Sequence, residues 1–205
     1  GSRLLPLTKE KPKPLLTVKG RPLIDILIRQ LSAAKINSLV VNVHHLGNQI
    51  KDHLGDGHQH KVEIQYSVED ELLETGGGIK NALKLLGTDP FILVNGDIYT
   101  DFDFSNLPKI LPEGILAHLV VKKSSGEESG DFLIKDNEIT SRGSNYTYCG
   151  IAIISPLLFA KSPSGAFSWT RDLLFAMIGK AKFSTQEHLG NWTDIGTPEQ
   201  YYSVR

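Results

Sequence analysis

Cysteine is almost absent from this 205-residue chain: Cys149 is the only one. No intrachain disulfide can form, and a cysteine-rich zinc site is excluded. Cys149 adjoins the apolar run 151–154 and is expected to be a buried bystander. Long apolar runs are lacking as well, and none approaches the ~20 residues a helix needs to span a bilayer. Charge of one sign is lacking too. Lys and Arg number 22 against 23 Asp and Glu, for a formal net charge of -1. Broad electrostatic binding of nucleic acid or of an anionic membrane is therefore not indicated. There is no secretory-signal pattern, no internal repeat and no low-complexity tract. No Gly-Lys-Ser/Thr follows a glycine loop, so there is no Walker P-loop, and nothing has the form of a nucleophile elbow. The seven histidines show no paired metal-ligand spacing. His44, His45, His58 and His60 are expected at the surface.

What is present is ordinary globular material. Apolar residues make up 40% and charged residues 22%, enough for one sizeable domain with a real core. Residues 22–34 carry Leu23, Ile24, Leu27, Ile28 and Leu31 at helical spacing, with a proline near the first turn. Strands are expected at 38–43, 62–66 and 91–94, alternating with helices at 46–54 and 76–86. That alternation points to a parallel sheet with helical crossovers. The second half is richer in strands (115–122, 132–135 and 146–154), with a further helix at 170–178. The expected fold is α/β, with an antiparallel or mixed extension. An α/β pattern that opens with a loop and a helix lacks its first strand, so a strand and part of a glycine-rich loop are expected upstream of Gly1.

The stretch Phe91-Ile92-Leu93-Val94-Asn95-Gly96-Asp97 concentrates the functional signal. Four apolar residues without alternation read as a strand buried on both faces, the usual state of a central parallel strand. A small backbone and a carboxylate then fall at the C-terminal edge of the sheet, where open α/β sheets bind ligands. Asn-Gly is also a strong turn signal, and these residues by themselves do not choose between turn and site.

Three other stretches carry candidate chemistry. Arg3, Lys9, Lys11 and Lys13 crowd a proline-stiffened segment whose rigidity suits polyphosphate, because part of the ordering entropy is lost before binding; a solvated basic loop reads the same way. Pro12 and Pro14 restrict Lys13. Three glycines follow Glu74 and Thr75 before a helix. They allow close backbone approach and expose N-terminal amides to a base, ribose or phosphate, or form a flexible loop. In Trp192-Thr193-Asp194-Ile195-Gly196-Thr197-Pro198, Thr197 and Pro198 read as an N-cap and first helical position, which leaves Asp194 unexplained. If Asp97 and Asp194 meet, two carboxylates with room for phosphate oxygens and water are what Mg²⁺ prefers.

These motifs, in this order, resemble the sugar-phosphate nucleotidyltransferases. The resemblance rests on Gly1-Ser2-Arg3-Leu4-Leu5-Pro6-Leu7-Thr8, Pro12-Lys13-Pro14-Leu15, Glu74-Thr75-Gly76-Gly77, Asn95-Gly96-Asp97 and Trp192 to Pro198. It implies a Rossmann-like fold with a mixed, mostly parallel central sheet flanked by helices, built as a single domain over 1–205. The implied reaction joins an NTP and a sugar 1-phosphate into a nucleoside diphosphate sugar and pyrophosphate, with Mg²⁺ as cofactor, in the cytoplasm. By the same resemblance, Gly1, Ser2 and Arg3 lie around the nucleotide phosphates, and Arg3 and Lys13 assist catalysis. Glu74, Thr75 and Gly76 lie near the base or ribose. Asn95, Asp131 and Gly150 contact the sugar phosphate, and Asp97 and Asp194 hold the metal. Within the family the chain is most similar to the cell-wall-recycling branch, which couples UTP to N-acetylmuramate 1-phosphate. Mannose-1-phosphate guanylyltransferases are the competing branch, and a non-catalytic nucleotide-sugar-binding regulator is the reading from another class.

Overall fold

The computed structural model describes Leu4 and residues 6–124 and 130–205. In chain order its elements are β1 (Thr17–Val18), β2 (Arg21–Pro22), α1 (Leu23–Ala33), β3 (Ser38–Val43), α2 (Gly47–Leu54), β4 (Glu63–Val68), α3 (Glu74–Leu86), β5 (Phe91–Val94) and β6 (Ile98–Thr100). There follow β7 (Ile115–Lys123), β8 (Phe132–Lys135), β9 (Glu138–Arg142), β10 (Tyr146–Ile154), α4 (Phe175–Met177), β11 (Lys182–Glu187), β12 (Trp192–Asp194) and α5 (Pro198–Val204). No helix among the described residues is long and apolar enough to cross a membrane. The chain forms two compact units that it visits alternately. One comprises Gly1–Leu72, Asn95–Leu107 and Gly190–Arg205, and the other Leu73–Val94 and Pro108–Leu189.

In the first unit, β3 and β4 run parallel, in register from Ser38 opposite Glu63 to Val43 opposite Val68, with α2 as their crossover. The amphipathic face read from the sequence is the buried one. Ile24 and Ile28 of α1 join Val43, Ile50, Leu54 and Ile64 in one apolar cluster. Each such side chain contributes about 1.5–3 kcal/mol on burial. His60, expected at the surface, is instead tucked in beside Asp25, whose carboxylate lies 3.9 Å from its Nε2 and 2.7 Å from Nε2 of His53. A second cluster gathers Leu4, Leu16, Val18, Leu23, Ile195 and Tyr201. Next to it, β6 and β12 form an antiparallel ladder.

The second unit is built on a six-stranded sheet in the order β5-β10-β7-β11-β9-β8. Alternate residues of its long strands (Ala117, Leu119 and Val121 of β7, Ala152 and Ile154 of β10) pack with Phe183, Ile79, Trp169 and Leu174, as a period of two requires. The sheet is mixed, as expected, but its pairings lean antiparallel. β7 and β11 run parallel, whereas β10 runs antiparallel to β5 and β7, and β9 to β8 and β11. β5 therefore differs from the central parallel strand read from its sequence. It stands at one end of the described order, antiparallel to β10, and all four of its residues are half-buried. An unalternating apolar run signals contact on both faces, and it carries no information on the direction of a neighbour. The helix expected at 170–178 is a π-helical stretch, Trp169–Leu174, that continues into the short α4.

Candidate active site

Lys13 is placed by its neighbours. Pro12 holds φ −65° and ψ 144°, the chain then makes a single 3₁₀ turn over Lys13–Leu15, and the Leu16 amide closes it onto the Lys13 carbonyl at 3.0 Å. Buried Leu15 and Leu16 anchor the turn. From it the Lys13 ammonium reaches Asp97, donating to Oδ2 at 2.6 Å, with side chains 17% and 35% exposed. The basic loop is thus more than a solvated surface at Lys13. Asn95, between β5 and β6, is half-buried. Among the described residues nothing crowds Gly96: a Cβ there would meet only the Pro14 ring, at an ordinary 3.7 Å.

Asp97 and Asp194, ninety-seven positions apart in sequence, are brought together at one end of the β6/β12 ladder, Asp194 within it and Asp97 just before it. The Ile195 amide donates to the Asp97 carbonyl at 2.9 Å, and Asp194 lies opposite Ile98. The ladder is fastened at both ends. At one, Asp101 accepts from the Asn191 backbone amide at 2.9 Å and from its side-chain amide at 2.7 Å. At the other, Thr197 and Gln200 form a full capping box at the start of α5, with Pro198 at the first helical position. The cap read from the sequence is present, and it holds the turn that follows Asp194.

In the second unit, Glu74, Thr75 and Gly76 open α3. Glu74 takes a left-handed φ of 55°, and its exposed carboxylate meets the Arg171 guanidinium at 3.2 Å. Gly76 and Gly77 do not present free amides to a ligand. Both donate to the Phe167 carbonyl, at 2.9 and 3.2 Å. A Cβ on Gly76 would fall 2.4 Å from the Phe167 ring, and one on Gly77 2.3 Å from the Gly165 carbonyl. These glycines admit the 165–167 loop. Lys80 straps the same loop through the carbonyls of Ser162 and Pro163 at 2.8 and 3.0 Å. Sequence reasoning missed Phe167 and Arg171. The signal available was the glycine run itself, which requires a close backbone neighbour without saying which.

Asp131 and Gly150 also lie in this unit and are brought together by one backbone amide. The Asp131 carboxylate accepts from the Tyr148 amide at 2.8 Å. Two residues later the pairing of β10 with β7 slips between Tyr148 and Ile151, and Gly150 sits in the bulge with φ 75°. A bulge with a left-handed residue is a glycine position. Burial raises the Asp131 pKa, opposed by the Tyr148 hydrogen bond and by Arg142. Burial also pushes the Cys149 thiol up to about 12, in keeping with its expected inertness. Gly1, Ser2 and Arg3 lie outside the described residues.

The chemistry of the Asp97 and Asp194 pair fits a hard divalent cation. Both offer carboxylate oxygen, and a cationic ammonium already sits on one of them. No group of three or more His, Cys, Asp or Glu among the described residues is placed to hold a metal. An ion here would draw its other ligands from phosphate oxygens and water, which is how Mg²⁺ is commonly held.

The family model for nucleotidyl transferases matches residues 1–113. The chain belongs to that family. An N-acetylmuramate alpha-1-phosphate uridylyltransferase of Neisseria meningitidis is 40% identical to this nucleotidyltransferase over 206 residues, covering 96% of the chain and 89% of the relative. One from Caulobacter vibrioides is 31% identical over 97% of the chain and 89% of the relative. A mannose-1-phosphate guanyltransferase of Aspergillus oryzae is 28% identical over 99% of the chain, which spans 60% of that longer protein. Among solved structures, HddC from Yersinia pseudotuberculosis complexed with GMP-PN superposes with a TM-score of 0.79 at 24% identity, over 98% of this chain and 92% of the other. A likeness at that identity speaks for the fold.

Proposed function

We propose that this nucleotidyltransferase forms UDP-N-acetylmuramate and pyrophosphate from UTP and N-acetylmuramate 1-phosphate. The reading is carried by the 40% identity to the Neisseria uridylyltransferase over nearly the full length of both chains. Residues 1–205 act as one catalytic domain, a view supported by a family match whose residues 1–113 run through segments of both compact units. The working compartment is the cytoplasm, where nucleoside triphosphates are abundant.

In the reaction an oxygen of the sugar 1-phosphate attacks the α-phosphorus of the NTP. A new P–O bond forms there, the bond to the bridging α–β oxygen breaks, and pyrophosphate leaves. No covalent nucleophile is required of the protein, so positioning and charge neutralisation dominate. Asp97 and Asp194 would hold Mg²⁺, which on binding screens the two anionic substrates from one another. Lys13 supplies a positive charge beside them, and Arg3 steadies the leaving pyrophosphate. Glu74 and Thr75, exposed at the start of α3, lie toward the base and ribose. Asn95, Asp131 and the Gly150 bulge receive the sugar phosphate.

The test is to incubate the full-length protein and Mg²⁺ with each of four NTPs and a panel of sugar 1-phosphates, and to measure pyrophosphate. UTP with N-acetylmuramate 1-phosphate is the expected pair. Preference for GTP with mannose 1-phosphate would replace it by the guanylyltransferase reading. Tight nucleotide-sugar binding without pyrophosphate release would leave the regulator.

A further inference from the structure

Lys13 and a divalent cation have a claim on the same oxygen. The ammonium stands 2.6 Å from Oδ2 of Asp97, at the short end of charge-assisted hydrogen bonds. Both partners are substantially shielded, with 17% and 35% of their side chains exposed, so the attraction is screened less than at an open surface. A metal ion at that carboxylate would stand close to the ammonium, and two positive charges a few ångströms apart repel. The backbone of Lys13 is fixed by Pro12 and by buried Leu15 and Leu16, whereas its four-carbon stem is free to swing the charge onto another acceptor.

We infer that Lys13 is a tethered cation that guards Asp97 against a lone divalent ion and releases it to the metal when a triphosphate arrives. The phosphates carry more negative charge than one carboxylate and draw the ammonium away. Asp97 then becomes available to the metal in the same step. The metal therefore enters with the nucleotide rather than ahead of it, and Lys13 is a positioning residue for the metal as well as a charge beside the phosphates. The inference rests on the reading of Asp97 as a metal ligand.

Direct Mn²⁺ binding, followed through the paramagnetic resonance signal of the free ion, tests it without turnover. Wild type, Lys13→Met, Asp97→Asn and the double variant are titrated with and without UTP, after thermal unfolding has shown each to be folded. Lys13→Met is expected to bind Mn²⁺ in the absence of nucleotide roughly tenfold more tightly than wild type, the scale of one charged hydrogen bond partly open to solvent. Adding UTP should tighten Mn²⁺ binding in wild type more than in Lys13→Met, and the double variant should lose the gain. Equal or weaker nucleotide-free Mn²⁺ binding by Lys13→Met overturns the guard, as does a gain that survives Asp97→Asn. If Asp97→Asn leaves wild-type Mn²⁺ binding with UTP untouched, the metal-ligand reading fails with it. Normal pyrophosphate release by wild type alongside a failed Mn²⁺ comparison would remove only this inference.

Discussion

The carbonyl of Phe167 accepts the amides of both Gly76 and Gly77, and the Phe167 amide returns a bond to the Leu73 carbonyl at 3.1 Å. The loop therefore lies against the first turns of α3 too closely for side chains. Gly76→Ala is expected to destabilise the protein by about 1–3 kcal/mol, the usual scale of overpacking a filled site, because its Cβ would lie 2.4 Å from the Phe167 ring and 2.7 Å from backbone. Gly96→Ala is the contrast. Among the described residues its only close neighbour is the Pro14 ring at 3.7 Å, so stability should change little while turnover falls if substrate approaches there. Chemical denaturation of the two variants, with pyrophosphate release alongside, separates packing from approach.

Asp97→Asn and Asp194→Asn should each reduce turnover by orders of magnitude while leaving the fold intact, Asp97→Asn at a stability cost of about 1 kcal/mol for the lost Lys13 ion pair. The ladder that joins them is held by backbone bonds, such as the one from Ile195 to the Asp97 carbonyl, and these do not depend on carboxylate charge. Near-wild-type Mg²⁺-dependent rates in either variant would remove the metal assignment.

Asp131 gives a pH signature. Burial raises its folded pKa above the unfolded value, so the folded state prefers the protonated carboxyl. The stability this contributes is full below the unfolded carboxylate value near 3.9 and is lost as pH rises through the folded pKa. At neutral pH the ionised group is a cost. Asp131→Asn keeps an oxygen to accept from the Tyr148 amide and removes the charge. It should be at least as stable as wild type at pH 7, and its stability should vary less as pH rises above the unfolded carboxylate value. The KM for sugar 1-phosphate should rise, since an amide oxygen is a weaker acceptor. Thermal unfolding across pH and a substrate titration check both, and a marked loss of stability at pH 7 would contradict the burial cost.

Cys149 is fully buried, with its thiol raised to about 12. The native protein should resist thiol-specific reagents at pH 8 and release one equivalent only on unfolding, because the thiolate is the reactive form. Rapid labelling of the folded protein would contradict this placement.

Much of the fold was legible because burial imposes a period. Leu23, Ile24, Leu27, Ile28 and Leu31 marked α1, and all five are buried. Thr197 and Pro198 marked the start of α5, since a cap is a local contract between a hydroxyl and amides a few residues away. The strands β6, β9, β11 and β12 were not assigned; Ile98–Thr100 and Trp192–Asp194 are three residues each, too short for a period to show, and the Glu138–Arg142 and Lys182–Glu187 strands are mostly polar with few apolar positions to mark one. The glycines of α3 were legible as a demand for closeness, but the partner, Phe167, lies some ninety residues away and no local signal names it.

The sequence by itself determined the family, the helices that bury one face, the inert cysteine and the identities of Lys13, Asp97, Asp131, Gly150 and Asp194 as residues whose chemistry needed an explanation. Those properties are local, set by side-chain type and short-range spacing. Only the tertiary structure decided that Lys13 bonds Asp97, that Asp194 is brought to it at the end of one ladder, that Asp131 holds the Tyr148 amide before the Gly150 bulge, and that Gly76 and Gly77 serve a protein loop. Each of these joins residues far apart in the chain. Their pairing follows from strand register and from which faces are buried together, quantities that exist only once the chain has closed on itself.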